Sequence, residues 1–245
     1  MKSRLIITGT VLLVLLNLTG FSQGLEYGLR GGFNAGTPYG KAEDGSTGKP
    51  GVGPAFGLYF NAQLNFKWQV QAEFLYSKKG SSFKTPVSGD TIYEDTETNP
   101  GHTYHWHTVY NGWVEGEYDN TYLDIPVMFI YRFNPKWNVM FGPQFSYLLE
   151  GDNSGTADIE VGNPENPFTT VEDEPFDQSK HLKNWDYGLI VGGKHHITNK
   201  MDVSLTLSGG LVSIYEKNYK YLDKTIRNIY LRASLGFRIS SDREE

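Results

Sequence analysis

The 245-residue chain contains no cysteine, so disulfides and thiolate metal centres are excluded. Beyond residue 24 it also lacks any window with the roughly 18 apolar residues that a membrane-crossing helix needs. Positive charge is in deficit: 22 Lys and Arg stand against 28 Asp and Glu, a net charge of −6, which makes nucleic acid a poor partner. No Gly-x-Ser-x-Gly element occurs, and no Asp-His pair stands where a nucleophile could use it. The sequence therefore reads as non-enzymatic, with no cofactor. What it does contain is aromatic residues at 14% and 28 glycines, within a hydrophobic content of only 38%. That mixture suits a β-protein with many turns.

Lys2 and Arg4 precede an apolar run from Leu5 to Leu18, and Gly20-Phe21-Ser22 follows. This is the pattern of a secretory signal peptide, expected over 1–22 with cleavage before Gln23 and one domain over 23–245. Loss of Lys2 and Arg4 would take the net charge from −6 to −8.

Two-residue periodicity runs through the rest. In 137–149, Trp137, Val139, Phe141, Pro143, Phe145, Tyr147 and Leu149 share one face, and mostly small or polar residues share the other. Seven more segments repeat the pattern, beginning at Leu25, Phe56, Trp68, Leu123, Trp185, Met201 and Ile229. Each is near the 9–11 residues that a tilted membrane strand needs. Asn65-Phe66-Lys67, Asn134-Pro135-Lys136 and Thr198-Asn199-Lys200 are tight turns, whereas 34–52, 79–120, 150–184 and 215–225 read as long loops. Short connections at one end and long ones at the other predict an all-β fold. It is an eight-stranded antiparallel up-and-down transmembrane β-barrel, with periplasmic turns and extracellular loops.

A soluble lipocalin-like barrel is the strongest rival, since it would turn the same apolar faces inward. Aromatic placement favours lipid. Trp68, Phe133 and Trp137 flank the turns, and Tyr76, Tyr122 and Tyr147 stand at the loop ends, as interfacial girdles do. The opposite faces carry Glu26, Glu73, Asp124, Asp186 and Asp202 together with Arg30, Arg132, Lys194, Arg232 and Arg238. Eight strands leave an interior only wide enough for side chains. Five acids and five bases there are expected to pair and plug the lumen. Pro126 and Pro143 fall inside strands, and each predicts a bulge or a local break in pairing.

Several segments resemble the PorT-like outer-membrane β-barrel family: Gly28-Leu29-Arg30-Gly31-Gly32-Phe33-Asn34, Gln71 to Gly80, Tyr122-Leu123-Asp124-Ile125-Pro126, Gly142-Pro143 with Tyr147-Leu148-Leu149, and Ser208 to Tyr215. The order matches over about 25–239. The resemblance implies an outer-membrane location in a Gram-negative bacterium, and it makes the two prolines family features. Where the family often carries an Arg-aromatic pair, this chain has Thr206-Leu207-Ser208.

Among other candidates, His102, His105 and His107 lie in the second long loop, and the last two would share one side of a strand. They are weak metal candidates, because two imidazoles do not close a site. The acidic stretch 150–184 lacks calcium-loop spacing and reads as solvated. His195 and His196 abut a turn and read as structural, one toward headgroups and one toward the lumen. The leading functional expectation is a structural and interaction barrel. It meets lipid through its strands and a partner through 79–120 and 150–184. An accessory role in a protein secretion or uptake complex, or a small channel, is the alternative.

Overall fold

A computed structural model of the chain describes residues 25–40, 45–99, 102–163, 166–216 and 226–240, with the backbone alone at 87–99, 102–110, 161–163 and 166–168. The expected signal peptide lies outside the described residues.

Among the described residues nine strands follow one another: β1 (Leu25–Tyr39), β2 (Thr47–Gln63), β3 (Trp68–Asn99), β4 (His102–Arg132), β5 (Trp137–Asn163), β6 (Asn166–Asp177), β7 (Trp185–His196), β8 (Met201–Gly210) and β9 (Arg227–Arg238). Eight of them close a ring in the order β1-β2-β3-β4-β5-β7-β8-β9, with β9 returning to β1 and every pairing antiparallel. A closed ring leaves no unpaired edge inside the barrel wall. The ninth strand, β6, pairs among the described residues only with the outer half of β5.

The three tight turns share one device. Asn65 Oδ1 accepts the N–H groups of Lys67 and Trp68 at 2.9 and 3.0 Å. Asn134 Oδ1 accepts those of Lys136 and Trp137, both at 2.9 Å. Thr198 Oγ1 accepts those of Lys200 and Met201 at 3.2 and 3.0 Å. A short polar side chain that folds back onto the backbone two and three residues on is what makes such residues turn formers.

The faces answer the lipid question. Leu29, Phe33, Phe56, Leu58, Phe74, Phe129, Phe141, Leu189, Val191, Leu205, Leu207, Leu231 and Leu235 all point outward. Leu205, in the middle of β8, is 53% exposed. The buried side chains include Arg30, Gln71, Glu73, Lys79, Asp124, Lys194, Asp202 and Arg232. A soluble barrel would have the reverse arrangement.

The two prolines break pairing without shifting it. The β3–β4 ladder omits Glu73/Pro126 and Phe74/Ile125, and the β4–β5 ladder omits Val127/Pro143 and Met128/Gly142; the register is the same on either side of each gap. Each proline lacks the N–H that its neighbour would need. A Cβ at Gly142 would lie 2.0 Å from the Val127 carbonyl oxygen, so this crowded corner admits only glycine. The register shifts lie elsewhere: between Pro50 and Ala55 in β2, at Thr121/Tyr122 in the β4–β5 ladder, at Ser88/Asp90 and Glu97/Asn99 in β3, and at Ala157/Ile159 and Val161/Asn163 in β5.

Two expectations need correction. The stretches 79–120 and 150–177 are strand, not loop, where they are described, and only 178–184 remains a connection. β3 has 32 residues and β4 has 31, far beyond the roughly 10 that a membrane needs. Their outer parts, with β5 and β6, continue as a four-stranded sheet above the ring. Apolar alternation could not reveal this, because strands standing in water need no lipid-facing face. Tyr122 is the second correction. It shares parity with Asp124 and so points inward, only 1% exposed. Trp185 takes the place it was expected to fill in the girdle, against Tyr147 at a ring separation of 4.9 Å.

Candidate functional site

The lumen is built from the inward parity of each strand. On β3 this face presents Gln69, Gln71, Glu73, Leu75, Ser77, Lys79 and Ser81, all buried. Arg30 on β1 stands opposite, 3% exposed. Its Nε lies 2.8 Å from Glu73 Oε1 and one terminal nitrogen lies 3.1 Å from Asp202 Oδ1. The other terminal nitrogen donates to Ser204 Oγ at 2.6 Å and to Ser234 Oγ at 3.3 Å. The guanidinium carbon sits 5.2 Å from the Tyr59 ring centre, within cation–π range.

From Arg30 the charges alternate up the barrel. Glu73 Oε2 lies 3.5 Å from Arg232, whose second terminal nitrogen lies 3.5 Å from Asp124 Oδ2. Asp124 Oδ1 in turn accepts from Lys79 Nζ at 2.8 Å and from Ser146 Oγ at 2.6 Å. The ladder Asp202–Arg30–Glu73–Arg232–Asp124–Lys79 thus joins β8, β1, β3, β9 and β4 through side chains alone. Alternating sign lets each buried ion face its opposite, which is the condition for tolerating charge in a poorly hydrated interior.

The other expected members sit around this ladder. Arg238 pairs with Glu26 at 2.8 Å near the turn end, and Glu26 also accepts from Asn61 at 3.0 Å. Lys194 donates to the Gln71 amide oxygen rather than to a carboxylate, and Gln71 donates to Glu73 at 2.6 Å. Asp186 accepts from Asn228 at 2.8 Å and joins no ion pair among the described residues. Arg132 departs from expectation: it is half-buried at the turn end, and its guanidinium makes no ion pair among the described residues. It occupies the last inward position of β4, close to the rim. His195 stacks on Trp137 with ring centres 4.4 Å apart, and His196 bonds to Asn138 at 2.9 Å.

Lys79 is the member that sequence reasoning missed, because it was assigned to a loop. It is 2% exposed and its ammonium also lies 4.5 Å from the Tyr122 ring centre. The signal was present: Lys79 continues the odd-numbered face of Gln71, Glu73 and Ser77.

Above the ladder the mouth is covered. Tyr118, Leu182, Ile214 and Tyr215 form an apolar cluster, backed by Phe83, Leu148 and Ile226. The connections after β6 and after β8 are sewn together there: Lys183 N–H donates to Ile214 O at 2.7 Å, Glu216 N–H donates to His181 O at 3.0 Å, and Asn153 Nδ2 donates to Tyr215 Oη at 3.1 Å. Burial pushes the Tyr118 hydroxyl above its ordinary range, against the hydrogen bond with Tyr215. Ser179, donating from side chain and backbone, holds the exposed Asp177 carboxyl below its ordinary range. Beneath the cover a void of about 10 Å³ remains among Lys79, Gln144, Ser146, Asp186 and Asn228. That is room for about one water molecule.

The expected loop histidines lie in β4 at 102, 105 and 107, where only the backbone is described. Among the described residues no group of three or more His, Asp or Glu side chains is placed to hold a metal.

An outward apolar belt around a polar, filled interior defines a transmembrane barrel of the outer-membrane type. The model of the outer membrane protein beta-barrel domain family matches residues 21–216, and the chain belongs to that family. Only the closing strand β9 lies beyond the match. No curated protein matches the sequence. Among solved structures, the chain is similar to the attachment invasion locus protein Ail of Yersinia pestis, at 11% identity, covering 88% of this chain and 99% of that one with a TM-score of 0.35. It is also similar to OprG of Pseudomonas aeruginosa, at 10% identity, 89% and 97% coverage and a TM-score of 0.40. A third is the protease OmpT of Escherichia coli, at 12% identity, 88% and 95% coverage and a TM-score of 0.31.

Proposed function

We propose that this protein is a non-enzymatic outer-membrane anchor of a Gram-negative bacterium whose work is done by the sheet it raises above the membrane. The observation that carries this reading is an open strand edge. Beyond Lys84, β3 pairs with β4 alone among the described residues, so Thr85–Asn99 leaves one row of backbone groups without a strand partner. The opposite edge, β6, is short and carries Pro167 and Pro175 with an acidic run between them. Proline and charge are the usual means of blocking edge pairing. The β3 edge has no proline after Pro86, and its Asp90, Glu94, Asp95 and Glu97 are spread along the strand, so they select a basic segment over another acidic edge. It suits addition of an extended segment from a protein partner, in which the main chain supplies affinity and alternate side chains supply selectivity.

The filled lumen supports the same reading over a channel, since side chains occupy the space that solute would need. The resemblance to PorT-like proteins favours a partner within a secretion or uptake assembly of the envelope, and that is the second reading.

The test removes the edge and keeps the barrel. Residues 88–111 are replaced by Asn-Gly, which joins the paired Val87 and Gly112 through a two-residue hairpin. The shortened protein should still fold and reach the outer membrane but should lose the protein that full-length chain retains in detergent pulldowns from native membranes. A tag placed at Gly89 should be reached by antibody on intact cells, and one in the Asn134 turn should not. A partner retained by the shortened chain, or labelling with the opposite pattern, would refute the proposal.

A further inference from the structure

The three tight turns place three lysines in equivalent positions at one rim. Lys67, Lys136 and Lys200 each follow the turn residue whose side chain folds back, and each carbonyl is tied to the next strand. Lys67 O accepts Arg132 N–H at 2.8 Å, Lys136 O accepts His196 N–H at 2.9 Å, and Lys200 O accepts Arg238 N–H at 2.8 Å. The backbone of each lysine is therefore held at a fixed point on the rim, independently of its ammonium.

All three side chains are exposed, and none has an ion-pair partner among the described residues. The segments 64–68, 133–137 and 197–201 contain no acid. Each lysine stands beside exposed apolar side chains: Phe66 by Lys67, Trp137 by Lys136, and Met201 by Lys200. The far end of the molecule has the opposite character, with Glu150, Asp152, Asp158, Glu160, Glu172, Asp173, Glu174 and Asp177 against Lys180 and Lys183.

We infer that Lys67, Lys136 and Lys200 form a phosphate-binding ring that selects anionic phospholipid headgroups at the short-turn end of the barrel. Charge complementarity and position both support a lipid occupant. The lysines stand among exposed apolar side chains of the turns, Phe66, Phe133, Trp137 and Ile197, so a bilayer that covers the belt brings headgroup phosphates within reach of their flexible stems while the methylenes stay against apolar neighbours. The ring is independent of the protruding sheet, and it requires only that the barrel be embedded in lipid.

The barrel's own tryptophans can report on it. Trp68 and Trp137 flank two of the turns, whereas Trp106, Trp113 and Trp185 lie elsewhere. A full-length variant carrying W106F, W113F and W185F is folded into phosphatidylcholine vesicles that contain a minor fraction of a lipid brominated on its acyl chains. Brominated phosphatidylglycerol should quench Trp68 and Trp137 as though enriched about two- to fivefold over brominated phosphatidylcholine at the same fraction. Raising the salt from about 0.05 to 0.5 M should remove most of that enrichment. K67Q/K136Q/K200Q in the same background should bring the two lipids to parity. Its heat-dependent gel mobility should be unchanged, because Asn65, Asn134 and Thr198 still form the turns. A chain keeping only Trp185 should show no preference. Equal quenching by the two lipids in the unmutated turns, or a preference that persists in the triple variant, would overturn the inference.

Discussion

Replacing Arg30 by alanine should destabilise the folded barrel by about 3–5 kcal/mol, the usual cost of leaving buried partners of an ion pair uncompensated. Arg30 holds Asp202 and Glu73 at once, and it also donates to Ser204 and Ser234. Without it Asp202 has no ion-pair partner among the described residues, while Glu73 keeps the 3.5 Å contact with Arg232 and the 2.6 Å hydrogen bond from Gln71. Arg132→Ala, in a residue of the same type at the rim, should cost less than about 1 kcal/mol, because no buried partner is orphaned. Urea-dependent folding into detergent micelles or vesicles, followed by gel mobility or tryptophan emission, measures both. Similar costs for the two variants would mean that the ladder does not hold the barrel together.

The second large effect concerns the outside of the barrel. Leu205→Arg should destabilise the folded protein in vesicles by about 2–4 kcal/mol, the depth-dependent cost of a cation near the bilayer midplane. Tyr39→Arg, at the outer end of β1, should cost no more than about 1 kcal/mol, since the penalty fades toward the interface. Both side chains are exposed in the structure. A soluble barrel would tolerate them equally, so equal effects would contradict lipid burial of the belt.

Much of this was legible in the sequence because a membrane strand is constrained on both sides. Lipid demands apolar residues at every second position, and a narrow lumen demands small or polar residues between them. All eight barrel strands and all three turns follow from that pattern. Parity also placed Arg30, Glu73, Asp124, Asp202 and Arg232 on one interior. What parity could not supply is which charges meet. Asp124 finds Lys79 and Arg232 rather than Arg132 because pairing depends on height along the barrel, and that is set by strand stagger. The tall sheet escaped notice because its alternation is sparse and aromatic, as in Tyr104, Trp106, Tyr110, Val114 and Tyr118, without the continuous aliphatic face that marks the lipid-facing strands. Segments such as Thr91-Ile92-Tyr93 and Val109-Tyr110 carried β-propensity but no lipid face. Leu149, the extra residue where β5 shifts against β4, changes the inward parity from Ser146 to Asn153, and no local signal marks it.

On the proposed function the lumen is closed, and the barrel anchors a binding sheet and does not conduct. Purified protein inserted into planar bilayers tests this most directly. The ion ladder and the apolar cover over the mouth predict no stable conductance at ordinary voltages. Steady ohmic channels from protein with an unmutated interior would contradict it.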